Sequence, residues 1–255
     1  MGNYLLRVAF DGLGYHGTQR QKKGQRTVQG ELEAALFRLT GHEVRIRCSS
    51  RLDSGVSATD FCISFKAELP YRKERLLELL NGQLGKSIHV KSIQRVRDEF
   101  DARGTPHRKR YRYLIDNGAF DPILDSHAWV IPAQLDLEKI QATMNIFLGK
   151  HSFASFASPD RQGKRDGDFT SEITETKAVT KAAGKLIYIY VSGHRFHRYQ
   201  VRMMVGAAVQ ASLGKISLEE IERRLEQPDI DSSKYKAPAE GLTLVKTEYR
   251  GRWEC

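Results

Sequence analysis

Cysteine is scarce in this 255-residue chain: Cys48, Cys62 and Cys255 are the only three. An odd number with no C-x-x-C pair argues against a disulfide framework and a zinc knuckle, leaving ordinary reduced thiols. No apolar run approaches the roughly 20 residues of a membrane span. The opening Met1-Gly2-Asn3-Tyr4-Leu5-Leu6-Arg7 lacks a signal-peptide core, and Leu6 fails the Ser/Thr of a myristoylation site. The expected compartment is therefore the cytoplasm. There is no H-E-x-x-H, no P-loop and no paired acidic motif; Asp121 and Asp125 flank Pro122 in a turn-like stretch. A metal-dependent nuclease would want clustered carboxylates or His ligands, so no metal is expected. Acid is the scarcer charge: 31 Asp plus Glu face 41 Lys plus Arg, for a formal net charge of +10 and a pI near 9.5. That balance favours a polyanionic partner.

With 40% hydrophobic residues the chain can bury real cores without staples. Periodicity predicts a strand over residues 3 to 10, and a helix over Val28–Thr40 with Leu32, Leu36 and Leu39 on one face. Two strands are expected around Asp53, at Val44–Cys48 and where Phe61, Ile63 and Phe65 alternate with Cys62 and Ser64, followed by a helix over Arg72–Leu80 and a strand over Ile88–Val96. The second half repeats this order more loosely. It has strands at Tyr111–Ile115, Thr170–Thr180, Leu186–Val191 and Leu242–Tyr249, with helices at Leu137–Leu148 and His197–Leu213. An accessory strand at His127–Ile131 and a short helix at Leu218–Leu225 interrupt the repeat. The expected fold is α+β: two ferredoxin-like β-α-β-β-α-β units joined into an extended antiparallel sheet with a central cleft. The expected domains are 1–104, carrying the Asp53 loop, and 105–255, with the boundary at Gly104-Thr105-Pro106. The polar stretch Ser158–Asp168 is expected to be a substrate-facing loop, although a plain connector fits it too.

Aromatics interrupt the basic charge in Arg108-Lys109-Arg110-Tyr111-Arg112-Tyr113 and in His194-Arg195-Phe196-His197-Arg198-Tyr199. Such segments can pair phosphates with cations and stack bases on rings, so Arg108, Lys109, Arg110 and Arg198 are candidate RNA-binding residues. Tyr113 fits a core role better. The lone acid Asp53 stands in Arg51-Leu52-Asp53-Ser54-Gly55-Val56-Ser57. A carboxylate held ionised by cations can act as nucleophile or base. An Asp there can equally cap a turn. The preceding strand would carry Arg45, Arg47 and then Arg51 along one face.

Six segments together resemble the TruA-type tRNA pseudouridine synthases. They are Phe10-Asp11-Gly12-Leu13-Gly14-Tyr15-His16-Gly17-Thr18-Gln19-Arg20-Gln21 with Thr27-Val28-Gln29; Ser50-Arg51-Leu52-Asp53-Ser54-Gly55-Val56-Ser57-Ala58; Phe100-Asp101-Ala102-Arg103 with Arg110-Tyr111-Arg112-Tyr113; Gly149-Lys150-His151-Ser152-Phe153-Ala154-Ser155-Phe156; Phe196 with Val201-Arg202-Met203-Met204-Val205-Gly206; and Ala237-Pro238-Ala239-Glu240-Gly241-Leu242. The resemblance implies isomerisation of uridine to pseudouridine in the anticodon arm of tRNA, at positions 38, 39 or 40, without a cofactor and by a homodimer. It implies Asp53 as the catalytic acid, Arg202 as its charge partner, and Tyr111 as the ring against the target base. Arg51 would fill the gap left by the flipped nucleotide or grip its phosphate, and Leu242 would contact substrate. Three positions depart from the family pattern: Leu52 for the usual Thr, Thr18 where Trp is common, and Gln200 for an apolar residue. The rival reading is a non-catalytic RNA-binding protein with tandem ferredoxin-like domains. It would not need Asp53, Tyr111 and Arg202 together.

Overall fold

The computed structural model describes residues 1–21, 24–118, 121, 123, 125–159, 167–232 and 235–253. The chain divides into two compact units, Met1–His107 together with Thr243–Cys255, and Arg108–Leu242.

The first unit runs β1 (Gly2–Phe10), α1 (Val28–Thr40), β2 (Arg47–Cys48), β3 (Ser57–Ala67), α2 (Lys73–Gln83) and β4 (Ile88–Val96). β1 lies between two antiparallel neighbours, with Leu6 opposite both Ile63 of β3 and Ile93 of β4. β2 is antiparallel to β3, with Cys48 opposite Ile63. The order β4-β1-β3-β2 is that of the split β-α-β-β-α-β unit. Local chemistry marks the ends of α1: Thr27 accepts a hydrogen bond from the Gly30 amide, and the Gly41 amide donates to the Phe37 carbonyl. Val28, Leu32, Ala35 and Leu36 form its buried face, while Leu39 is half-exposed.

The alternation expected around Phe61, Ile63 and Phe65 is absent, because Cys62 and Ser64 are buried as well. Residues from beyond β4 explain that burial. Leu5, Cys62, Val96, Phe100 and Ala102 pack with Tyr249 and Trp253. Phe100-Asp101-Ala102-Arg103 is held there: the Ala102 amide donates to Ser64, and Asp101 accepts from the Arg103 and Gly104 amides. Arg47 donates to the other Asp101 oxygen at 3.0 Å.

The second unit contains β5 (His107–Asp116), β6 (Trp129–Val130), α3 (Leu137–Ile146), β7 (Gly149–Ser152), β8 (Thr170–Lys181), β9 (Leu186–Gly193), α4 (Gln200–Ser212) and α5 (Leu218–Glu226). Its sheet runs β5-β9-β8-β7, antiparallel throughout, and β6 lies parallel to β5. β7 has no counterpart in the periodicity of the sequence. Phe153 and Phe156, just beyond it, pack on Phe147 with ring centroids 6.2 and 4.9 Å apart. α4 is buried on nearly every side. A Cβ on Gly206 would lie 1.7 Å from the Tyr235 carbonyl oxygen, so only glycine allows that approach. The expectation for the loop Ser158–Asp168 falls largely on residues 160–166, outside the described residues. No helix among the described residues is long and apolar enough to cross a membrane.

The last strand, β10 (Leu242–Tyr249), returns to the first unit, where Thr243 and Leu244 run parallel to Ser57 and Ala58 of β3. Asp60 ties it down. Its carboxylate accepts from Arg7 at 2.7 and 2.8 Å and from the Thr247 amide at 3.0 Å, while its carbonyl accepts from the Thr247 hydroxyl at 2.8 Å. Asp60→Ala is expected to cost about 2 kcal/mol in urea denaturation by stranding these donors, and Asp60→Asn clearly less. Equal losses in the two variants would show that the carboxylate's hydrogen bonds are not what anchors β10.

Candidate active site

The Asp53 loop has no regular structure of its own, so its backbone polar groups need partners elsewhere. The segment Tyr15-His16-Gly17-Thr18 provides them. The Thr18 amide donates to the Leu52 carbonyl at 3.1 Å, and the Leu52 amide donates back to the Thr18 hydroxyl at 2.9 Å. Ser54 Oγ donates to the Tyr15 carbonyl at 2.9 Å. Thr18 is 1% exposed, so the exchange takes place away from water. Gly17 permits it: φ is +87°, and a Cβ there would sit 2.7 Å from the Leu52 carbonyl oxygen. The first unit also fixes Thr18 from behind. Val28 and Gln29 amides at the start of α1 donate to the Gly17 and Thr18 carbonyls at 3.4 and 3.0 Å. A turn then reverses the chain at Asp53, with the Val56 amide donating to the Asp53 carbonyl at 3.2 Å and Gly55 at φ +81°. Asp53 itself is half-buried, Leu52 is buried, and Arg51 is exposed. Arg45 and Arg47 are exposed as well.

In the second unit, Arg202 is a buried cation rather than a surface charge, at 8% exposure. Its Nε donates to the Ala237 carbonyl at 2.8 Å, and the Ala237 amide returns a bond to the Arg202 carbonyl at 3.1 Å. Its guanidinium lies 5.1 Å from the Tyr199 ring centroid. Gln200, the polar departure on this helix, is fully buried and fully used: it accepts from the His197 amide and donates to Ser171. Tyr111 is 5% exposed and meets Phe196 edge-on, at 5.0 Å between centroids. Tyr113 is a core residue. Its hydroxyl donates to the Pro238 carbonyl at 2.9 Å, and burial pushes its phenol far up. Leu242 is buried, its amide donating to the Ala239 carbonyl.

The basic run on β5 does not form one patch, because successive strand residues face opposite sides. Arg108 and Arg110 share Glu175, at 2.7 and 3.2 Å. Lys109 turns the other way, with its amine 5.9 Å from the Phe196 ring and its pKa pulled down to about 8 by burial. Arg198 stands over Tyr199 at 4.5 Å. Burial also pushes the thiols of Cys48 and Cys62 up to about 12, which keeps them protonated and poorly nucleophilic. The contacts of Thr18, Tyr15 and Tyr199 with Leu52, Ser54 and Arg202 are what spacing alone did not give. The signal available for Thr18 was its place directly after the glycine of the first motif.

Two outcomes are expected for these residues. Thr18→Val keeps shape but leaves the Leu52 amide without an acceptor, so a loss of about 1–2 kcal/mol and faster exchange of that amide proton are expected. Thr18→Ser should retain both, and equal behaviour of the two variants would refute the hydroxyl's role. The Lys109 amine titrates near 8 when folded and near its ordinary 10.5 when unfolded. Across that window the unfolded chain holds the extra proton, so stability rises with pH. Urea midpoints of the native chain should therefore climb relative to Lys109→Met between those two pH values. A constant difference would mean that the amine titrates normally.

The family model described as tRNA pseudouridine synthase matches residues 7–103 and 144–250. The tRNA pseudouridine synthase A of Aquifex aeolicus (strain VF5) is 35% identical over 247 residues, covering 96% of this chain and 99% of that protein. The protein of the same name from Acetivibrio thermocellus is 35% identical over 250 residues, covering 98% and 100%. Among solved structures, the "Crystal Structure of a Cbf5-Nop10-Gar1 Complex" aligns at a TM-score of 0.38 and 11% identity, over 96% of this chain and 60% of that one. With the family match spanning both halves, and relatives aligned over nearly their full length, the chain belongs to the tRNA pseudouridine synthase family.

Proposed function

We propose that this enzyme isomerises uridines in the anticodon arm of tRNA, at positions 38 to 40, with the Asp53 carboxylate as the reacting group. Uridine and pseudouridine are isomers, so the reaction needs no net oxidant. The C1′–N1 bond breaks, the base turns, C1′ joins C5, the C5 proton leaves and N1 gains one. The target base must first leave its stack, and water must be kept from the loose fragment. Asp53 adds to the sugar or base, or removes a sugar proton. Arg202 holds the carboxylate ionised. Tyr111 covers the flipped base and Leu242 lines its place. Arg51 takes the gap in the RNA or its phosphate, and Arg108, Lys109, Arg110 and Arg198 act on the RNA backbone.

The observation that carries this reading is the support given to Asp53. The loop's only acid sits in a turn whose neighbour Leu52 is hydrogen-bonded on both its amide and its carbonyl by a buried threonine. A turn that served only as a connector would gain little from such anchoring, whereas a reacting carboxylate needs it. The buried Arg202, fixed through Nε, supports the same reading, since a guanidinium held in place can keep a neighbouring carboxylate ionised.

The test is tritium release from tRNA carrying 5-tritiated uridine. Asp53→Asn is expected to lower single-turnover release by about a thousandfold or more, with tRNA affinity changed less than tenfold. Equal release by both proteins removes Asp53 from the chemistry. Tight tRNA binding with no release by the native chain would favour a binding protein instead. Mapping pseudouridines in the product decides the positions.

A further inference from the structure

The α4 entrance gathers three cations on one tyrosine. Arg198 Cζ lies 4.5 Å, Lys236 Nζ 4.4 Å and Arg202 Cζ 5.1 Å from the Tyr199 ring centroid, and Arg198 Nη2 donates to the Tyr199 hydroxyl at 2.7 Å. Each of the three is therefore within roughly a Debye length of the others, close enough for their repulsion to count. Arg198 and Lys236 are exposed and could swing apart into water. Neither pairs with a carboxylate of any described residue. Tyr199 carries a second cost, because it occupies the left-handed region at φ +63°, ψ 2°, which a bulky L-residue rarely adopts. Strain of that kind persists where the surroundings hold it, and it collects at functional sites. Here the surroundings are the first turn of α4, whose Met203 amide donates to the Tyr199 carbonyl at 2.9 Å. The first-turn amides of that helix add partial positive charge at the same point. Cation–π attraction accounts for each contact singly but not for three cations on one ring.

We propose that Arg198 and Lys236, gathered on the Tyr199 ring, form a phosphate-binding subsite that grips one or two phosphodiesters of the substrate RNA beside Arg202. A phosphate placed between the two exposed cations removes their repulsion and brings charge-assisted hydrogen bonds. The aromatic ring keeps them gathered when no RNA is bound, so less side-chain freedom is lost on binding. The subsite uses Lys236, which lies outside the basic runs of the sequence, and Tyr199, which ends one of them. It rests on the reading of this chain as an RNA-modifying enzyme.

The experiment measures tRNA affinity across a salt series for the native chain, Arg198→Gln, Lys236→Gln and the double variant. Lys139→Gln is the charge control, an exposed lysine on α3 outside the cluster. Each subsite variant is expected to weaken binding about three- to tenfold at moderate salt. Each should also flatten the slope of log affinity against log salt by about 0.7 to 0.9, the release of one counterion. Lys236→Arg should restore the slope. Slopes for Arg198→Gln and Lys236→Gln indistinguishable from that of Lys139→Gln would overturn the subsite. Tritium release by the native chain is read in parallel and judges the enzymatic reading separately. Release with unchanged slopes rejects only the subsite, and flattened slopes without release reject only the enzyme.

Discussion

The exchange of hydrogen bonds between Thr18 and Leu52 is the constraint on which the Asp53 loop depends. Without it, a stretch of irregular chain would have to satisfy its amides with water and would sample many positions. With it, the residue before the acid is bonded on both sides to a side chain and backbone that are themselves fixed by the first amides of α1. Helix, motif and loop thus form one connected series, in which the helix start holds Thr18, Thr18 holds Leu52, and Leu52 delivers Asp53. The two departures from the family pattern at these positions are contact partners, and the hydroxyl that Leu52 lacks is present across the contact in Thr18.

The second unit solves a different problem, that of keeping a guanidinium out of water without losing its hydrogen bonds. α4 is buried almost all round, so Arg202 cannot reach solvent by bending. It spends Nε on the Ala237 carbonyl and lays its plane near Tyr199. The neighbouring motif Ala237–Leu242 also receives the Tyr113 hydroxyl at Pro238. One short segment therefore supports both the buried arginine and the sheet that carries Tyr111. Tyr111 and Tyr113 share a face of β5 yet differ in task, because the second is sealed under this segment while the first meets Phe196.

Much of the architecture was legible because its signals are local. α1 could be bounded from sequence since a threonine cap and a glycine stop are chemical features of its own ends. The β-α-β-β-α-β succession of the first unit followed from recognising two helices between the strands. What escaped was non-local. Cys62 and Ser64 read as the outer side of β3 but are buried, because Phe100, Ala102 and Trp253, distant in sequence, cover them. β7 is four residues long and too short to show a period. Asp53, Tyr111 and Arg202 were singled out by motif, whereas the division of the β5 cations, with Arg108 and Arg110 on Glu175 and Lys109 turned toward Phe196, was not legible in their run.

By itself the sequence determined the class of chemistry available to this protein. It supplied a single acid in a glycine-bearing turn, an excess of cations interleaved with rings, and apolar periods long enough to specify each helix, since these properties depend on residues within a few positions of one another. Only the tertiary structure decided that Thr18 positions the loop, that Arg202 is buried, and that Lys236 joins Arg198 on Tyr199. Those pairings join residues separated by tens of positions, and no local propensity or spacing encodes which of many distant polar groups will satisfy which.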